Sequence, residues 1–375
     1  MSNKYLSNEE YLLGSLLNDL NDSNLYLLNQ DNNKPLKTSK NFIDFVDLNK
    51  SSNSNGSSKD SSFVFLSKEE ILISLQNQKT ALNLQTQIKN MCQIEINHIF
   101  FELKGLFSKI IKDKNGNYFC SDLFKKLNEK QRYEILKEIS NEFLLLAILN
   151  YSTHPIQTLI QLSNSDDEIN FYDNIFKDEN TMKFFVMNPN GCFVIKKFIL
   201  YLPENKRTKI NYYFLKLLCF LSMNMYGVSL VKKFISTSKN QQIINQIFQI
   251  ISQNFLKICQ NQYGNYLIQY ILEHWWNTKE GLFLKQMCIS KFHILAGNHF
   301  SSYICDLFIK LSNHKEKKLL MNALIKDNTI VFLANNNNGN IIMNKLMNSL
   351  RMEKGPNYNN QYPPMNFKKV NDSKK

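Results

Sequence analysis

Arginine, glycine and proline are all scarce in this 375-residue chain. Only Arg132, Arg207 and Arg351 among the 45 basic residues are arginine. Eleven glycines and seven prolines are too few for a collagen-like chain or a turn-dense β-sandwich. No apolar run reaches the ~18 residues of a membrane-span candidate. The longest, near Tyr213–Met223, is interrupted by Lys216. The seven cysteines are odd in number, far apart and without a CxxC pair, which argues against a disulfide framework and fits free thiols in a reducing compartment. No basic-then-apolar segment near Met1 resembles a secretory signal, so a soluble, intracellular protein is expected. A Walker loop, HExxH and GxSxG are all missing, so neither an enzyme nor a metal or other cofactor is expected.

Hydrophobic residues make up 43% of the chain and charged residues 21%, enough for a sizeable core and incompatible with a wholly disordered chain. The net charge is +13. Residues 1–60 hold six Lys against eight Asp and Glu, a sum of −2, so the remainder carries +15. The basic excess therefore belongs to the part expected to fold, as a polyanionic partner would require.

Three regions are expected. Residues 1–61 form a polar arm that ends in the low-complexity stretch SSNSNGSSKDSS (51–62) and reads as disordered. Within it, Glu9–Leu28 has roughly helical apolar spacing and reads as a transient helix or a short docking helix. Residues 62–351 form the folded region, and residues 352–375 an Asn-, Pro- and Lys-rich disordered tail.

The folded region is a repeat. The segments DKNGNYFCSDLF (113–124), NPNGCFVIKKFI (188–199), NMYGVSLVKKFI (224–235), NQYGNYLIQYIL (261–272), NHFSSYICDLFI (298–309) and NNNGNIIMNKLM (336–347) align, with weaker copies at 77–88 and 149–160. Their fourth residues, here called anchors, are Thr80, Gly116, Ser152, Gly191, Gly227, Gly264, Ser301 and Gly339, spaced 36 to 39 residues apart. Three residues before the anchor stands Asn77, Asp113, Asn188, Asn224, Asn261, Asn298 or Asn336, each suited to cap a helix N-terminus; Leu149 is the exception. Apolar residues recur at +3, +4, +7 and +8 from the anchor, as in Leu267, Ile268, Ile271 and Leu272, which is one helical stripe. The roughly 20 residues before each cap, such as 241–259, also carry helical periodicity. Each copy is thus two or three helices that cannot bury their stripe alone, and stacking predicts an all-α solenoid with the second helices aligned on one face.

In copy six, Asn265 and Gln269 lie four residues apart and so share a helix face, with Tyr266 rotated about 100° from Asn265. The expectation is an exposed amide pair beside an exposed ring, which suits a nucleobase: amides bond its edge and the ring covers its face. NQYGNYLIQYILEH closely resembles a Pumilio (PUF) repeat, the family's sixth, and NHFSSYICDLFI resembles its seventh. The resemblance covers about residues 62–351, with eight copies as in that family. It implies a right-handed, crescent-shaped α-solenoid that binds single-stranded RNA with one base per repeat.

On that resemblance the +1 and +5 residues read the base edge and the +2 residue stacks. Copy one has Ala81, Leu82 and Gln85; copy two Asn117, Tyr118 and Ser121; copy three Thr153, His154 and Gln157; copy four Cys192, Phe193 and Lys196. Copy five has Val228, Ser229 and Lys232; copy six Asn265, Tyr266 and Gln269; copy seven Ser302, Tyr303 and Asp306; copy eight Asn340, Ile341 and Asn344. Copy six then has the uracil pattern, copy seven the guanine pattern with Asp for the usual Glu, and copy eight a weakened uracil pattern. The implied core is 5′-UGU, read by copies eight, seven and six, with an adenine at copy three and a uracil at copy two. Lys196 and Lys232 stand where glutamine is usual and cannot offer an amide's paired donor and acceptor, so poor discrimination is expected there. Ser229 leaves copy five without a ring.

Cys120 and Cys305 fall on the apolar stripe and are expected in the core, as are Trp275 and Trp276 between repeats. His154 has no second ligand at a useful spacing and is not expected to hold a metal. Asp166, Asp167 and Glu168 lie in the longest gap between copies and are expected in a solvated loop. The resemblance implies a cytoplasmic, monomeric mRNA-binding regulator that acts on 3′ untranslated regions through repression or decay, with deadenylase or repressor proteins on its convex face. The alternatives are a helical scaffold for proteins, favoured by the degenerate triplets of copies one, four and five, and a weakly selective nucleolar relative in ribosome assembly.

Overall fold

The computed structural model describes residues 65–352; the arm at 1–61, its Glu9–Leu28 segment and nearly all of the 352–375 tail lie outside the described residues. Among the described residues there are 23 α-helices and no strand. From the second copy onward each repeat has three α-helices: an outer helix, a short helix and an inner helix that begins within two residues of the anchor. In copy six these are Gln241–Gln253, Phe255–Cys259 and Gly264–Trp275.

The eight inner helices are Gln78–Asn90, Gly116–Phe124, Thr153–Leu162, Pro189–Tyr201, Gly227–Thr237, Gly264–Trp275, Ser302–Leu311 and Asn337–Met352. Each packs on the next in chain order, forming one continuous row. The +3, +4, +7 and +8 side chains are buried in copies two to eight, Pro155 standing at +3 in copy three. Burying each large aliphatic or Phe side chain contributes about 1.5–3 kcal/mol, and each inner helix shares that burial between the short helix of its own repeat and the inner helices of adjacent repeats. Cys120 and Cys305 are in this core, as the stripe requires. Trp275 packs on Phe248 of the outer helix of copy six, and Trp276 on Phe308 of copy seven.

The caps form as their chemistry dictates. The side-chain oxygens of Asn224, Asn261 and Asn298 each accept from the backbone N–H groups two and three residues on, at 2.9–3.1 Å. Asp113 and Asn188 do the same, while Asn77 and Asn336 accept one such bond each.

The anchor has a tertiary role that spacing alone does not reveal. At Gly116, Gly191, Gly227, Gly264 and Gly339 a Cβ would fall under 3.0 Å from the carbonyl oxygen six residues earlier, on the short helix. In the other three copies a hydroxyl donates to that same carbonyl: Thr80 to Ser74, Ser152 to Leu146 and Ser301 to Leu295, at 2.6–2.7 Å. Either no side chain or a hydroxyl satisfies this close crossing. Gly264→Ala should therefore cost about 1–3 kcal/mol by overpacking, and Gly264→Ser less, because its hydroxyl gains the Ile258 carbonyl. Denaturant melts of the two variants check this; an alanine variant within about 0.5 kcal/mol of the parent would contradict it.

In the Asp166–Glu168 segment Asp166 and Asp167 face solvent as expected, but the segment is not a loop and its third acid is not solvated. The segment is the first turn of the outer helix Asp166–Ile175, and Glu168 is fully buried. Arg132, on the preceding outer helix Glu129–Glu138, donates Nε to Glu168 Oε1 at 2.8 Å and Nη2 to Oε2 at 3.3 Å. Arg207 is also buried; its Nε donates to Asn211 Oδ1 at 3.1 Å and its Nη1 to the Phe198 carbonyl at 3.0 Å. Burial lowers its pKa to about 10. Two of the three arginines thus join structure together rather than facing a ligand.

Candidate nucleic-acid interface

The +2 side chains all emerge from the inner row into solvent. Leu82, Tyr118, Phe193, Tyr266, Tyr303 and Ile341 are 55–57% exposed, and His154 and Ser229 are exposed as well. Such uniformity across eight sequence-divergent copies follows from one helix rotation repeated eight times. Leu82 and Ile341, whose apolar character equally suited a buried role, stand in the same exposed rank. Tyr118 and His154 approach to 5.7 Å between ring centroids, one copy apart. Burial, assisted by Lys125 and Lys197, lowers the His154 pKa against the opposing pull of Asp122, so this ring is neutral at neutral pH and uncharged toward a base.

The +1 side chains lie deeper than expected. Asn265 is only 2% exposed, so the exposed amide pair of copy six reduces to one amide. The reason is local. Asn265 Nδ2 donates to the carbonyls of Asn261 and Gln262, both at 3.0 Å, which turns its Oδ1 toward the next helical turn. There it accepts from Gln269 Nε2 at 2.8 Å. Gln269 is half-buried with Tyr266 beside it, so Asn265 fixes the rotamer of the amide that meets solvent. Copy three repeats the arrangement with Gln157 Nε2 donating to Thr153 Oγ1 at 3.1 Å, and copy eight with Asn344 Nδ2 donating to Asn340 Oδ1 at 2.8 Å. A held amide loses less conformational freedom when it bonds a base edge.

The other copies differ. In copy two both Asn117 and Ser121 are buried; Asn117 Nδ2 donates to the Asp113 and Lys114 carbonyls and Ser121 Oγ to the Asn117 carbonyl, so Tyr118 alone faces outward. In copy one Ala81 is buried and Gln85 half-buried. In copy four Cys192 is buried, its Sγ 3.3 Å from the Val186 carbonyl, and burial raises its pKa to about 12, so it is an unreactive thiol. In copy five Val228 is buried. Lys196 and Lys232 are half-buried and, with Met225, Ser229, Tyr266 and Tyr270, line a groove of about 480 Å³. Lys232 Nζ sits 5.3 Å from the Tyr270 ring centroid, and burial lowers its pKa against the pull of Glu273. Tyr270 was not singled out from sequence; its place at +6, one residue beyond the reading position, was the available signal.

In copy seven Ser302 is half-buried, and its hydroxyl donates to the His299 carbonyl at 2.8 Å. Asp306 is held instead by two lysines, Lys310 at 2.7 Å and Lys345 at 2.6 Å. Burial works to raise its pKa, but the hydrogen bonds from Lys310 and Lys345 outweigh it and lower the pKa overall. Among the described residues no group of His, Cys, Asp or Glu could hold a metal ion, and no single helix is long and apolar enough to cross a membrane.

Fold and face together define a class: an α-helical repeat solenoid that presents, along one row of helices, one outward +2 side chain per repeat beside half-buried polar groups. Residues 107–140, 185–210 and 254–275 match the Pumilio-family RNA binding repeat, so this chain carries repeats of that family. Over 236 residues it is 24% identical to Pumilio homolog 12 of Arabidopsis thaliana, covering 62% of this chain and 39% of that one. It is likewise 24% identical over 252 residues to suppressor protein MPT5 of Saccharomyces cerevisiae, covering 64% and 27%. The chain thus spans well under half the length of these curated relatives. The fold matches the RNA-binding domain of yeast Puf5p bound to AAT2 RNA with a TM-score of 0.62 at 21% identity, over 74% of this chain and 82% of that one. It also matches the Puf4 RNA binding domain bound to the HO endonuclease RNA 3′ UTR recognition sequence, with a TM-score of 0.63 at 17% identity, over 75% and 87%.

Proposed function

We propose that the inner row binds single-stranded RNA in a sequence-selective manner, one base to a repeat, with a 5′-UGU core met by copies eight, seven and six. One observation carries this reading: the +2 side chains of eight successive inner helices are all exposed, six of them to the same degree, and in copies three, six and eight a +5 amide is held beside them. Stacking on such side chains is worth about 1–3 kcal/mol per base where they are rings, and a fixed amide supplies the edge contact that separates one base from another. Lys196 and Lys232, in the groove at the middle of the row, supply cations for the backbone where no amide is present. That the Puf4 domain was solved with a 3′ UTR recognition sequence supports a role on mRNA 3′ untranslated regions, which the chain would exercise in the cytoplasm through repression or decay. The chain would act as a monomer. Exposed Leu282, Phe283 and Leu319 on the outer helices give the convex face apolar contacts for a deadenylase or repressor protein.

Selection of a random RNA pool on the full chain tests the proposal. The expected result is an enriched motif that contains UGU, with weak preference at the positions facing copies four and five. A pool that stays unenriched while still binding would overturn selective reading and favour a weakly selective RNA binder; a pool that does not bind would favour the protein scaffold.

A further inference from the structure

Copy seven differs from its neighbours in what orients its +5 side chain. In copies three, six and eight a +1 side chain on the same helix accepts from the +5 amide. In copy seven the +1 hydroxyl of Ser302 is turned to the His299 carbonyl and offers Asp306 no donor. Asp306 is also one methylene shorter than the glutamate that the guanine pattern usually carries at this place. Its carboxylate is directed from outside. Lys310, four residues on along the same helix, approaches Oδ2 at 2.7 Å, and Lys345, from the inner helix of copy eight, donates to Oδ1 at 2.6 Å. Lys310 moves with its own helix, whereas Lys345 fixes the carboxylate relative to the adjacent repeat. An ionised carboxylate has about four acceptor positions, so two lysine bonds leave room for two more donors. A guanine edge carries two neighbouring N–H donors, and an adenine or uracil edge does not present that pair.

We infer that Lys345 is a positioning residue for guanine selectivity: from copy eight it aims the Asp306 carboxylate of copy seven at the base edge. This rests on the RNA-reading proposal above. It makes selectivity at copy seven a property of two adjacent repeats rather than one.

The test measures the affinity of the full chain for two RNAs that differ only in guanine or adenine at the base facing copy seven. The parent chain should prefer guanine by about tenfold or more, in the range of a good paired contact. Lys345→Gln should reduce that preference to about threefold or less, mainly by weakening the guanine RNA, and Lys345→Arg should restore most of it. If Lys345→Gln weakens both RNAs equally, the lysine is only a phosphate contact and the inference is overturned while RNA reading stands. If the parent binds neither RNA, or shows no preference, the underlying reading of copy seven falls and takes the inference with it. Thermal melts of both variants should stay close to the parent, since Lys345 is exposed and Asp306 keeps its ion pair with Lys310.

Discussion

Tyr266→Ala should weaken binding of a UGU-containing RNA by about 1–3 kcal/mol, a loss of roughly 5- to 150-fold, with little change in fold stability. The ring is 57% exposed and lies off the apolar stripe, so its removal opens no cavity. What disappears is the flat surface on which the base facing copy six stacks. Because every base has such a face, the loss should be nearly the same whichever base stands there. Gln269→Ala should act differently, lowering affinity for uracil more than for other bases, since the amide reads an edge. Asn265→Ala should resemble Gln269→Ala in binding and also destabilise the fold, because Asn265 is buried and bonded to the Asn261 and Gln262 carbonyls. Binding isotherms with single-base variants of one RNA, paired with melts, separate these outcomes. If Tyr266→Ala binds as the parent does, the exposed row is not a stacking surface and the RNA-reading proposal fails at its centre.

Glu168→Ala should produce the largest stability loss, about 3–5 kcal/mol, by leaving the Arg132 guanidinium buried without its counter-charge. The two side chains are 0% and 8% exposed, so water cannot take the place of the missing carboxylate. Arg132 also donates Nη1 to the Leu127 carbonyl at 2.8 Å, which would then be its main remaining partner. The damage should centre on the junction of the outer helices Glu129–Glu138 and Asp166–Ile175, where amide exchange should rise first. Replacing both partners, Arg132→Met with Glu168→Leu, should recover most of the loss, because an apolar pair has no desolvation cost. A single variant that melts within about 1 kcal/mol of the parent would show that the pair is not the inter-repeat tie its geometry suggests.

Tyr266 and Glu168 are placed by different kinds of information. Tyr266 was legible from sequence: its offset from Gly264, repeated in the other copies, places it beside the apolar stripe and outside the core. Glu168 was not legible. Three consecutive acids in the longest gap between copies read as solvent-facing, and only the approach of Arg132, 36 residues earlier, makes the third of them a core residue. Asn265 lies between these cases. Its side of the helix follows from the 3.6-residue turn, but its depth depends on its short side chain folding back to bond the carbonyls at the start of its own helix. The anchor glycines were visible as a pattern without a cause until the short helix was seen crossing them, with its carbonyl six residues earlier in chain.

The sequence by itself determined the repeat length, through recurrence of one motif, and also the Asn and Asp caps, the apolar stripe and the rank of side chains that leaves it, because these depend on helical geometry over a dozen residues or fewer. Tertiary structure alone decided how deep each +1 side chain lies, which acids are buried, and that Asp306 takes its orientation from a lysine 39 residues away. The buried acid and the aimed carboxylate are set by contacts between helices of neighbouring repeats, which a solenoid brings together at separations where no local periodicity records them, and the +1 depth by a side chain folding back on its own helix start.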